Sequence, residues 1–378
     1  MTKRLTGSIG RLILPFLTII SIIILTSQCS PGGSGDGVTN ITVNYNLNNV
    51  KPFEKAPYEV SYEIIPLLLP QYENIRIFLN NIEVYDGKIY ISTLRESILI
   101  FDTNGNFINK IPKGDQLTEL QAMVDFMVNR KENKLEVFDA KKVSEFDLSG
   151  RFLASNELDG ITGTEYGIAG NNRFFLRHKN SLSDYSFTIN PGNRDFEWRT
   201  GQTVANILNP KHFHTYDNTL YFTGYTDKVY SMGVNDSIPK LVAVVKNMNK
   251  DSNFRGLDND RFQILSAQKK LFTYINNFFV YNPQLWAFTL HAGELGEKIF
   301  MDLESGNYYS HPLTGIPYSQ NNRWVEDGAE YYLFPSAKFS EETSAKINEI
   351  APDLYKAMEA APADSKMWVI KATYTKKQ

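Results

Sequence analysis

The stretch FDTNGNFI, residues Phe101–Ile108, decides the fold. A near copy, FDLSGRFL, follows 45 residues later as Phe146–Leu153, and the two share the pattern F-D-x-x-G-x-F-[IL]. Apolar segments on both sides of an Asp-x-x-Gly turn predict two strands joined by a hairpin. Because the hairpin recurs at a distance typical of structural repeats, the chain is expected to consist of repeated units.

Two further strands precede each copy. Before the first copy, Asn81–Tyr85 and Lys88–Ser92 flank the turn Asp86-Gly87, which is a strong hairpin signal. Before the second copy, Lys134–Val137 corresponds to the second of these strands. A period of about 40–50 residues with four strands per unit is typical of a β-propeller blade. The repeated Phe is expected to face the packing between neighbouring sheets, with Asp and Gly in the hairpin between the third and fourth strands.

Weaker copies continue this pattern along the chain. They begin near Gly170, Tyr216, Phe272 and Arg323. Six units predict an all-β fold, a six-bladed β-propeller of four-stranded antiparallel blades. The segment Glu59–Leu67 precedes the first unit, and we expect it to add a strand to the last blade, because an open ring would leave exposed sheet edges.

Two segments interrupt the repeat. Lys246–Gln268 is polar and predicts a loop or short helix on one face of the disc. Ser340–Ala361 predicts a short helical insert near the C-terminus, with Ser340 as N-cap and a break at Pro352. Neither segment changes the predicted number of blades.

The N-terminus carries a targeting segment. Basic residues precede Leu12–Leu25, an apolar run of 14 residues. That run has the length of a signal-peptide core and is shorter than the roughly 20 residues that span a bilayer. The only cysteine, Cys29, lies four residues past this run. It resembles the cleavage site of a bacterial lipoprotein, although Gln28 departs from the usual small residue. The alternative is an ordinary secretory signal with an unrelated cysteine.

Domain boundaries follow from these signals. Residues 1–28 are predicted to be the signal peptide, residues 29–50 the lipidated Cys29 and a flexible tether, and residues 51–378 the propeller. The tether is inferred from the polar, Gly-rich stretch Ser30–Gly37. The protein is therefore expected in the bacterial cell envelope, as an outer-membrane lipoprotein held to the membrane through Cys29. The periplasmic side is favoured over the cell surface, because no dense acidic run follows that cysteine.

Composition excludes several classes of function. The chain has 378 residues, with 39 Lys and Arg against 42 Asp and Glu. Its net charge of −3 gives no basic footprint for nucleic acid. One cysteine excludes an intramolecular disulfide and a CxxC metal site. No phosphate-binding loop, GxSxG elbow or HExxH motif occurs, and no cofactor is expected.

The histidine pair at positions 212 and 214 is the first candidate site. Alternate residues of a strand share a face, so His212 and His214 could act together. With Asp217 or Asp227 they could bind a metal or serve as a base. The alternative is a pair of packing or solvent-facing histidines, since the sequence identifies no third ligand.

Tryptophans are the second set of candidates. Trp198, Trp286 and Trp324 could lie on one face of the disc. Aromatic rings there would stack on sugar rings or on peptide side chains, and they are favoured anchors at interfaces. The alternative is that they belong to the core between blades.

The motifs quoted above resemble those of the six-bladed β-propeller lipoproteins of Gram-negative envelopes. The shared features are the lipoprotein signal, a strand containing Ile65-Pro66-Leu67, the turn within Ile98–Ile108, and a helical insert before the final segment Met367–Thr375. Members often continue after the first turn with a Gly- and Pro-rich stretch. This chain has Lys113–Leu120 there, without Pro-Gly. The family has no established general activity, so the resemblance implies no catalytic residue.

Two functions are compatible with this reading. The favoured one is a lipid-anchored, non-enzymatic binding or scaffolding module for a protein, peptide or glycan partner, since loops from every blade converge on a rigid face. The alternative is a metal-dependent hydrolase or lyase with its site at the central channel. That alternative needs three or more His, Asp or Glu side chains within about 2.0–2.6 Å of one ion.

Overall fold

A computed structural model of the chain describes most of the residues after position 40. The described ranges are 41–45, 49–69, 81–93, 97–113, 120, 123–139, 141–158, 163, 165–178, 184–190, 194–199, 213–223, 228–236, 238–247, 275–290, 297–313, 323–335, 341–362 and 367–378. Within these ranges, no helix combines the length and the apolar character that crossing a membrane requires.

Strands dominate the described residues, as the repeats predict. In chain order they are β1 (Ile41–Tyr45), β2 (Val50–Lys51), β3 (Tyr58–Pro66), β4 (Ile82–Tyr85), β5 (Lys88–Thr93), β6 (Ser97–Asp102), β7 (Phe107–Pro112), β8 (Asp125–Asn129), β9 (Lys134–Phe138), β10 (Lys142–Asp147), β11 (Phe152–Glu157), β12 (Glu165–Ala169), β13 (Asn172–His178), β14 (Asp184–Asn190), β15 (Arg194–Arg199), β16 (Phe213–Tyr216), β17 (Thr219–Phe222), β18 (Lys228–Met232), β19 (Lys240–Asn247), β20 (Ile275–Val280), β21 (Leu285–Leu290), β22 (Glu297–Asp302), β23 (Asn307–Ser310), β24 (Arg323–Glu326), β25 (Ala329–Pro335) and β26 (Met367–Lys376). The helices are a short 3-10 helix (Phe53–Lys55), α1 (Glu341–Ile350) and α2 (Pro352–Ala360).

The strands form six sheets, which are the six predicted blades. Blades 1 to 5 contain β4–β7, β8–β11, β12–β15, β16–β19 and β20–β23, and blade 6 contains β24, β25, β26 and β3. The first strand of each blade lies against the first strand of a neighbouring blade, so that these inner strands lie at the centre of the ring. The predicted six-bladed β-propeller of antiparallel blades is therefore confirmed.

The ring closes with a strand from the N-terminal side, also as predicted. Strand β3 pairs antiparallel with β26 along its whole length, with Ile65 opposite Val369. The Leu67 amide then donates a hydrogen bond of 2.9 Å to the Met367 carbonyl oxygen. Blade 6 thus combines the two ends of the propeller, so that separating them requires breaking a complete strand pair.

Two strands before β3 differ from the sequence prediction. Strand β1 pairs in parallel with β19 at the outer edge of blade 4, and β2 pairs in parallel with β23 at the outer edge of blade 5. Strand β1 and the first residue of β2 lie in residues 29–50, where a flexible tether was expected, so that part of the segment is paired in the structure. The physical reason is burial: Val43 of β1 is 2% exposed and packs with Val229 and Val245. Where β1 and β2 cover β19 and β23, the outer edges of those two strands cannot pair with other chains.

The repeated phenylalanines pack as predicted. Phe101 is buried and lies opposite Phe107 across the β6–β7 hairpin, with ring centroids 5.9 Å apart. Phe146 and Phe152 repeat this pair in blade 2 at 5.8 Å. Both hairpins shift register just before the first Phe of the pair, which accommodates the extra turn residue. The repeated sequence motif therefore forms the same hairpin geometry in both blades.

The repeated aspartate caps the turn from inside. Asp102 Oδ1 accepts hydrogen bonds from the backbone N–H groups of Asn104, at 2.9 Å, and Asn106, at 2.8 Å. Asp147 accepts the equivalent pair in blade 2. Gly105 completes the turn with φ of +85°, a conformation that is costly for other residues. These roles explain why Asp and Gly recur at this spacing.

The helical insert is confirmed between β25 and β26. Helix α1 ends at Ile350, and α2 begins at Pro352, whose missing N–H costs nothing in the first turn. Ile347 and Leu354 are buried in the apolar cluster shared with blades 5 and 6. The predicted N-cap Ser340, and residues 248–268 of the other insert, lie outside the described residues.

Candidate functional site

Three inner hairpins carry an aspartate at the same turn position. They join β4 to β5, β16 to β17 and β24 to β25 through the two-residue turns Asp86-Gly87, Asp217-Asn218 and Asp327-Gly328. The three aspartates have φ of 47°, 46° and 48°, and the residues after them also have positive φ. This is the type I′ geometry that suits a hairpin, and Asp, Asn and Gly adopt it more readily than other residues. Blades 1, 4 and 6 thus present the same rigid turn.

A cavity of about 620 Å³ opens between these turns, at one mouth of the central channel. The three turns, the residues just before them and Arg130 of blade 2 line it. We call it the mouth cavity. Because each wall is a two-residue turn on a buried strand, the lining groups are held by the blades and not by long loops.

An ion pair forms one side of the mouth cavity. Arg130 follows β8 and donates from Nη1 to Glu326 Oε1 at 2.9 Å and from Nη2 to Oε2. Its guanidinium also lies over the Tyr85 ring, 5.1 Å from the centroid. Trp324 Nε1 donates to Glu326 Oε2 at 3.2 Å. Burial raises the pKa of Glu326, and Arg130 opposes that rise.

The other carboxylates of the mouth cavity are exposed. Asp86 Oδ2 lies 3.7 Å from Lys88 Nζ, whereas Asp217 and Asp327 form no ion pair with any described residue. Tyr216 lies beside them, and its pKa is raised by burial and further by the charges of Asp217 and Asp327. Among the described residues that line the mouth cavity, four carboxylates stand against one arginine, which gives the cavity a negative potential.

A buried hydroxyl completes the wall. Thr215 lines the mouth cavity and is 6% exposed. Its Oγ1 has no hydrogen-bond partner among the described residues. Buried polar groups in native proteins are nearly always paired, so this enclosed oxygen is an exception within the wall of the mouth cavity.

A second polar cluster surrounds Glu330, between blades 5 and 6. Glu330 accepts hydrogen bonds from Arg323 Nη1 at 2.7 Å, from the hydroxyl groups of Tyr281 and Tyr374 at 3.1 and 3.0 Å, and from Lys298. His311 Nε2 lies 3.2 Å from the same carboxylate. Each of these residues is at most 7% exposed, so no substrate reaches the cluster from solvent. It joins the two blades.

The electrostatics of this cluster follow from its burial. Burial lowers the pKa of His311 to about 3 and that of Lys298 to about 7. Burial alone would raise the pKa of Glu330, but Lys298, Arg323 and His311 hold it well below its usual range. Glu330 is therefore ionised and His311 neutral at physiological pH. A buried charge in this setting requires its partners, because an unpaired one is very costly.

Of the two histidines in the predicted site, the structure describes only His214. His214 is buried beneath the mouth cavity, with its ring centroid 5.4 Å from that of Phe279 and 5.8 Å from that of Trp324. Its Nε2 lies 3.4 Å from the Val280 carbonyl oxygen. His212 lies outside the described residues. His214 therefore acts as a packing residue between inner strands here.

Two of the three predicted tryptophans are buried and so do not belong to an exposed face. Trp286 is buried and packs edge-on against Phe278, with centroids 5.3 Å apart. Trp324 is also buried, and its Nε1 donates to the Val84 carbonyl oxygen at 3.1 Å as well as to the carboxylate that binds Arg130. Trp198 belongs to β15, and its side chain lies outside the described set. Trp324 therefore contacts a residue that lines the mouth cavity, but neither Trp324 nor Trp286 is among the described lining residues.

Sequence reasoning missed the aspartates as a group. Asp86 was used as a turn signal, Asp217 as a possible partner of the histidines, and Asp327 was not considered. A usable signal exists, because Asp followed by Gly or Asn ends the first strand in three of the six units. Its meaning depends on the ring, since only the ring brings the three turns to one mouth.

Comparisons with known proteins agree with this architecture. Residues 64–243 match the family described as "6-bladed beta-propeller". Among solved structures, the chain is similar to a Bacteroides fragilis protein described as exported, with 11% identity, a TM-score of 0.59, and coverage of 89% of this chain and 99% of that one. A Bacteroides vulgatus protein has 10% identity and a TM-score of 0.47, with coverage of 84% and 99%. No curated protein matches the sequence significantly. At 11% identity, the similarity to the Bacteroides fragilis protein shows the fold alone.

Proposed function

Because the chain is a six-bladed β-propeller, we propose that it is a non-enzymatic binding module that engages a protein, peptide or glycan partner at the mouth cavity. One observation carries this proposal: turns from three blades and an arginine from a fourth place polar groups around one cavity. Ligand sites in proteins are concave and largely pre-formed, with a few fixed polar groups. The mouth cavity has these properties.

The proposal includes a membrane anchor. The sequence features of the first 29 residues support a signal peptide and a lipidated Cys29, and the exported description of the Bacteroides fragilis protein supports an envelope location. The 12 residues from Cys29 to β1 could span at most about 40 Å.

The anchor can be tested separately from binding. We expect the chain to incorporate an alkyne-labelled fatty acid in cells and to fractionate with the outer membrane. A Cys29→Ala variant should lose both the label and the membrane fraction. If the unmodified protein stays in the membrane fraction without taking up the label, lipidation at Cys29 is contradicted.

An enzymatic role is the alternative, and the described geometry gives it little support. A metal-dependent hydrolase or lyase needs several ligands around one ion. In the described ranges, no three His, Cys, Asp or Glu side chains are grouped so that they could hold a metal. His212 and Asp227 are not among those ranges. Stoichiometric metal in the purified protein would favour the alternative.

Site-specific photocrosslinking tests the proposed binding site. Tyr216 lines the mouth cavity, and Tyr355 of α2 is similarly half-buried but distant from it. Benzoylphenylalanine would replace one or the other tyrosine in the full-length anchored protein, followed by irradiation of intact envelopes. We expect one reproducible adduct at position 216 and none at position 355. No adduct at 216, or the same adducts at both positions, would show that the mouth cavity is not the binding site.

A further inference from the structure

We infer that the outer edge of blade 2, strand β11, binds an extended segment of a partner protein as an added parallel strand. The bound segment carries β-branched apolar residues at alternate positions, as β1 does. No residue of β11 lines the mouth cavity, so this surface goes beyond the proposed function and does not depend on it. The basis is a comparison with blade 4, to which the chain itself adds such a strand.

A β-bulge at the same place makes blades 2 and 4 directly comparable. In the pairing of the third strand with the fourth, the ladder skips Leu153 in blade 2 and Val242 in blade 4. These two residues therefore correspond to each other. In the same way, Ala154 of β11 corresponds to Ala243 of β19, which is the residue that pairs with Ile41 of β1.

The skipped residue is apolar in both blades but differs in burial. Val242 is 6% exposed and belongs to the apolar cluster that contains Val43 of β1. Leu153 is 42% exposed, and in the part of the chain that the structure describes no strand lies on the outer side of β11. Removing apolar surface from water is favourable. A strand added to β11 would therefore cover Leu153 as β1 covers its counterpart.

The backbone of β11 also presents hydrogen-bonding groups to this edge. The Leu158 amide donates to the Lys141 carbonyl oxygen at 2.7 Å, in register with the β10–β11 pairs. Hydrogen-bonded and non-hydrogen-bonded pairs alternate along an antiparallel ladder, so the N–H and C=O groups of Ser155 point away from β10. The counterpart of Ser155 in β19 is Val244, which pairs with Thr42 of β1. The same backbone groups are thus offered in both blades.

The neighbouring edge of blade 1 is less suited to an added strand. Strand β7 contains Lys110 and ends in Pro112, and both residue types protect sheet edges from pairing. Leu68 also forms a parallel bridge with Asn106, just before β7. By contrast, the four residues Leu153–Asn156 of β11 are uncharged and exposed. Blade 2 therefore offers the more open edge of the two.

The chemistry of the bound segment follows from β1. Ile41, Thr42 and Val43 are β-branched, which favours an extended backbone on a sheet. In the register of β1, the residue equivalent to Ile41 would lie beside Ala154. Main-chain hydrogen bonds supply the affinity in this mode of recognition, and alternate side chains supply the specificity.

A peptide that copies β1 tests this inference on the full-length protein in detergent. The probe is fluorescein-labelled Gly-Ile-Thr-Val-Asn-Tyr-Gly, measured by fluorescence anisotropy. Two matched probes carry N-methyl groups, one on the Ile and Val nitrogens and the other on the Thr and Asn nitrogens. We expect only the first pair of methyl groups to abolish binding. When Thr lies opposite Ser155 in a parallel pair, the residues on either side of that Thr bond to the protein.

Paired variants place the peptide at β11. Ser155→Pro removes the outward N–H, and proline is tolerated on an edge strand when its nitrogen faces solvent. Ser155→Ala keeps that N–H and is the matched control. We expect binding to be at least about tenfold weaker in Ser155→Pro and unchanged in Ser155→Ala.

A side-chain variant makes the test independent of proline. Leu153→Ala shortens the exposed apolar residue at the bulge. Ile238→Ala shortens an apolar residue that is 59% exposed on blade 4, and it is the control. The first variant should weaken binding about fivefold, because only Leu153 adjoins the added strand, and the second should leave binding unchanged.

Four results would overturn the inference. They are no binding of the unmethylated peptide, equal binding of the two N-methylated probes, equal binding to Ser155→Pro and Ser155→Ala, and a dimer of the protein that Ser155→Pro separates into monomers. The last result would assign this edge to a second copy of the chain. Crosslinking at position 216 is independent of these measurements, because it reports on the mouth cavity alone.

Discussion

Arg130 of blade 2 and Glu326 of blade 6 form a bidentate ion pair that bypasses blade 1, although 196 residues separate them in the chain. Their side chains are 16% and 11% exposed, so water screens the pair only in part. The pair joins two blades that are not neighbours and fixes one wall of the mouth cavity. It therefore links the geometry of the proposed site to the integrity of the ring.

Removal of the arginine should destabilise the propeller. In an Arg130→Gln variant, Glu326 remains largely buried without its partner, which costs about 3 kcal/mol in comparable pairs. The loss should be smaller at pH 5 than at pH 8, because the unpaired carboxyl can then take up a proton. Urea unfolding at the two pH values measures both effects.

A surface pair provides the control for this variant. Lys371 Nζ lies 3.2 Å from Glu63 Oε2, with side chains 34% and 60% exposed. A Lys371→Gln variant should lose less than about 1 kcal/mol at either pH. If the two variants lose the same free energy of unfolding, the pair between blades 2 and 6 does not stabilise the propeller more than a surface pair does.

Gly105, in the turn between β6 and β7, should be essential for ring closure. A methyl group on Gly105 would lie 1.9 Å from the carbonyl oxygen of Pro66, at the end of the closing strand β3. Gly87 has a similar positive φ, but a methyl group there would meet nothing within 4 Å. Gly105→Ala should therefore cost at least about 3 kcal/mol, and Gly87→Ala about 1 kcal/mol. Thermal unfolding of both variants measures the difference, and equal losses would contradict the contact with β3.

Strand β1 should contribute to stability, although it lies in the predicted tether. Val43 is buried against blade 4, so Val43→Ala should lose about 2 kcal/mol. The neighbouring Thr42 is exposed, and Thr42→Ala should stay within about 0.5 kcal/mol of the unmodified protein. Chemical unfolding of both variants provides the test. No loss on Val43→Ala would mean that β1 is not paired with β19 in solution.

The cluster around Glu330 should make stability depend on pH. His311 has a folded pKa of about 3 against an ordinary value of 6.5, because it is buried. Between these values the unfolded chain binds a proton that the folded chain excludes, so stability falls as pH decreases below 6.5. Glu330 acts in the same direction but only below its ordinary pKa of 4.5, since its folded pKa is lowered.

The window between pH 6.5 and 4.5 therefore isolates the histidine. The unmodified protein should lose about 2 kcal/mol across it through this residue, and a His311→Gln variant should lose less. NMR provides an independent measure, since the ring of His311 should not titrate above pH 5. Titration near pH 6.5 would show that the ring is accessible and not held neutral by burial.

The blades were predictable from sequence because each hairpin joins residues that are close in the chain. Alternating apolar residues predict the buried strands. Asp102 and Gly105 are residue types that favour a turn, so they identify the hairpin between two of these strands. The closing strand β3 was predictable for another reason. A ring must cover its edges, and one apolar segment remained before the first blade.

The proposed site was not predictable in this way. His214 was selected by its spacing from His212 and Trp324 by its residue type, and the ring buries both. The three turn aspartates were individually visible, but each by itself is an ordinary hairpin residue.

The sequence by itself therefore determined the repeated hairpins, the number of blades, the strand that closes the ring and the position of the helical insert. Only the tertiary structure decided that Asp217 and Asp327 share a cavity, that Arg130 reaches Glu326, and that β1 covers blade 4. The physical reason is distance along the chain. Local hydrogen bonds leave a periodic trace in residue types, whereas contacts between distant blades depend on ring geometry that no short pattern encodes.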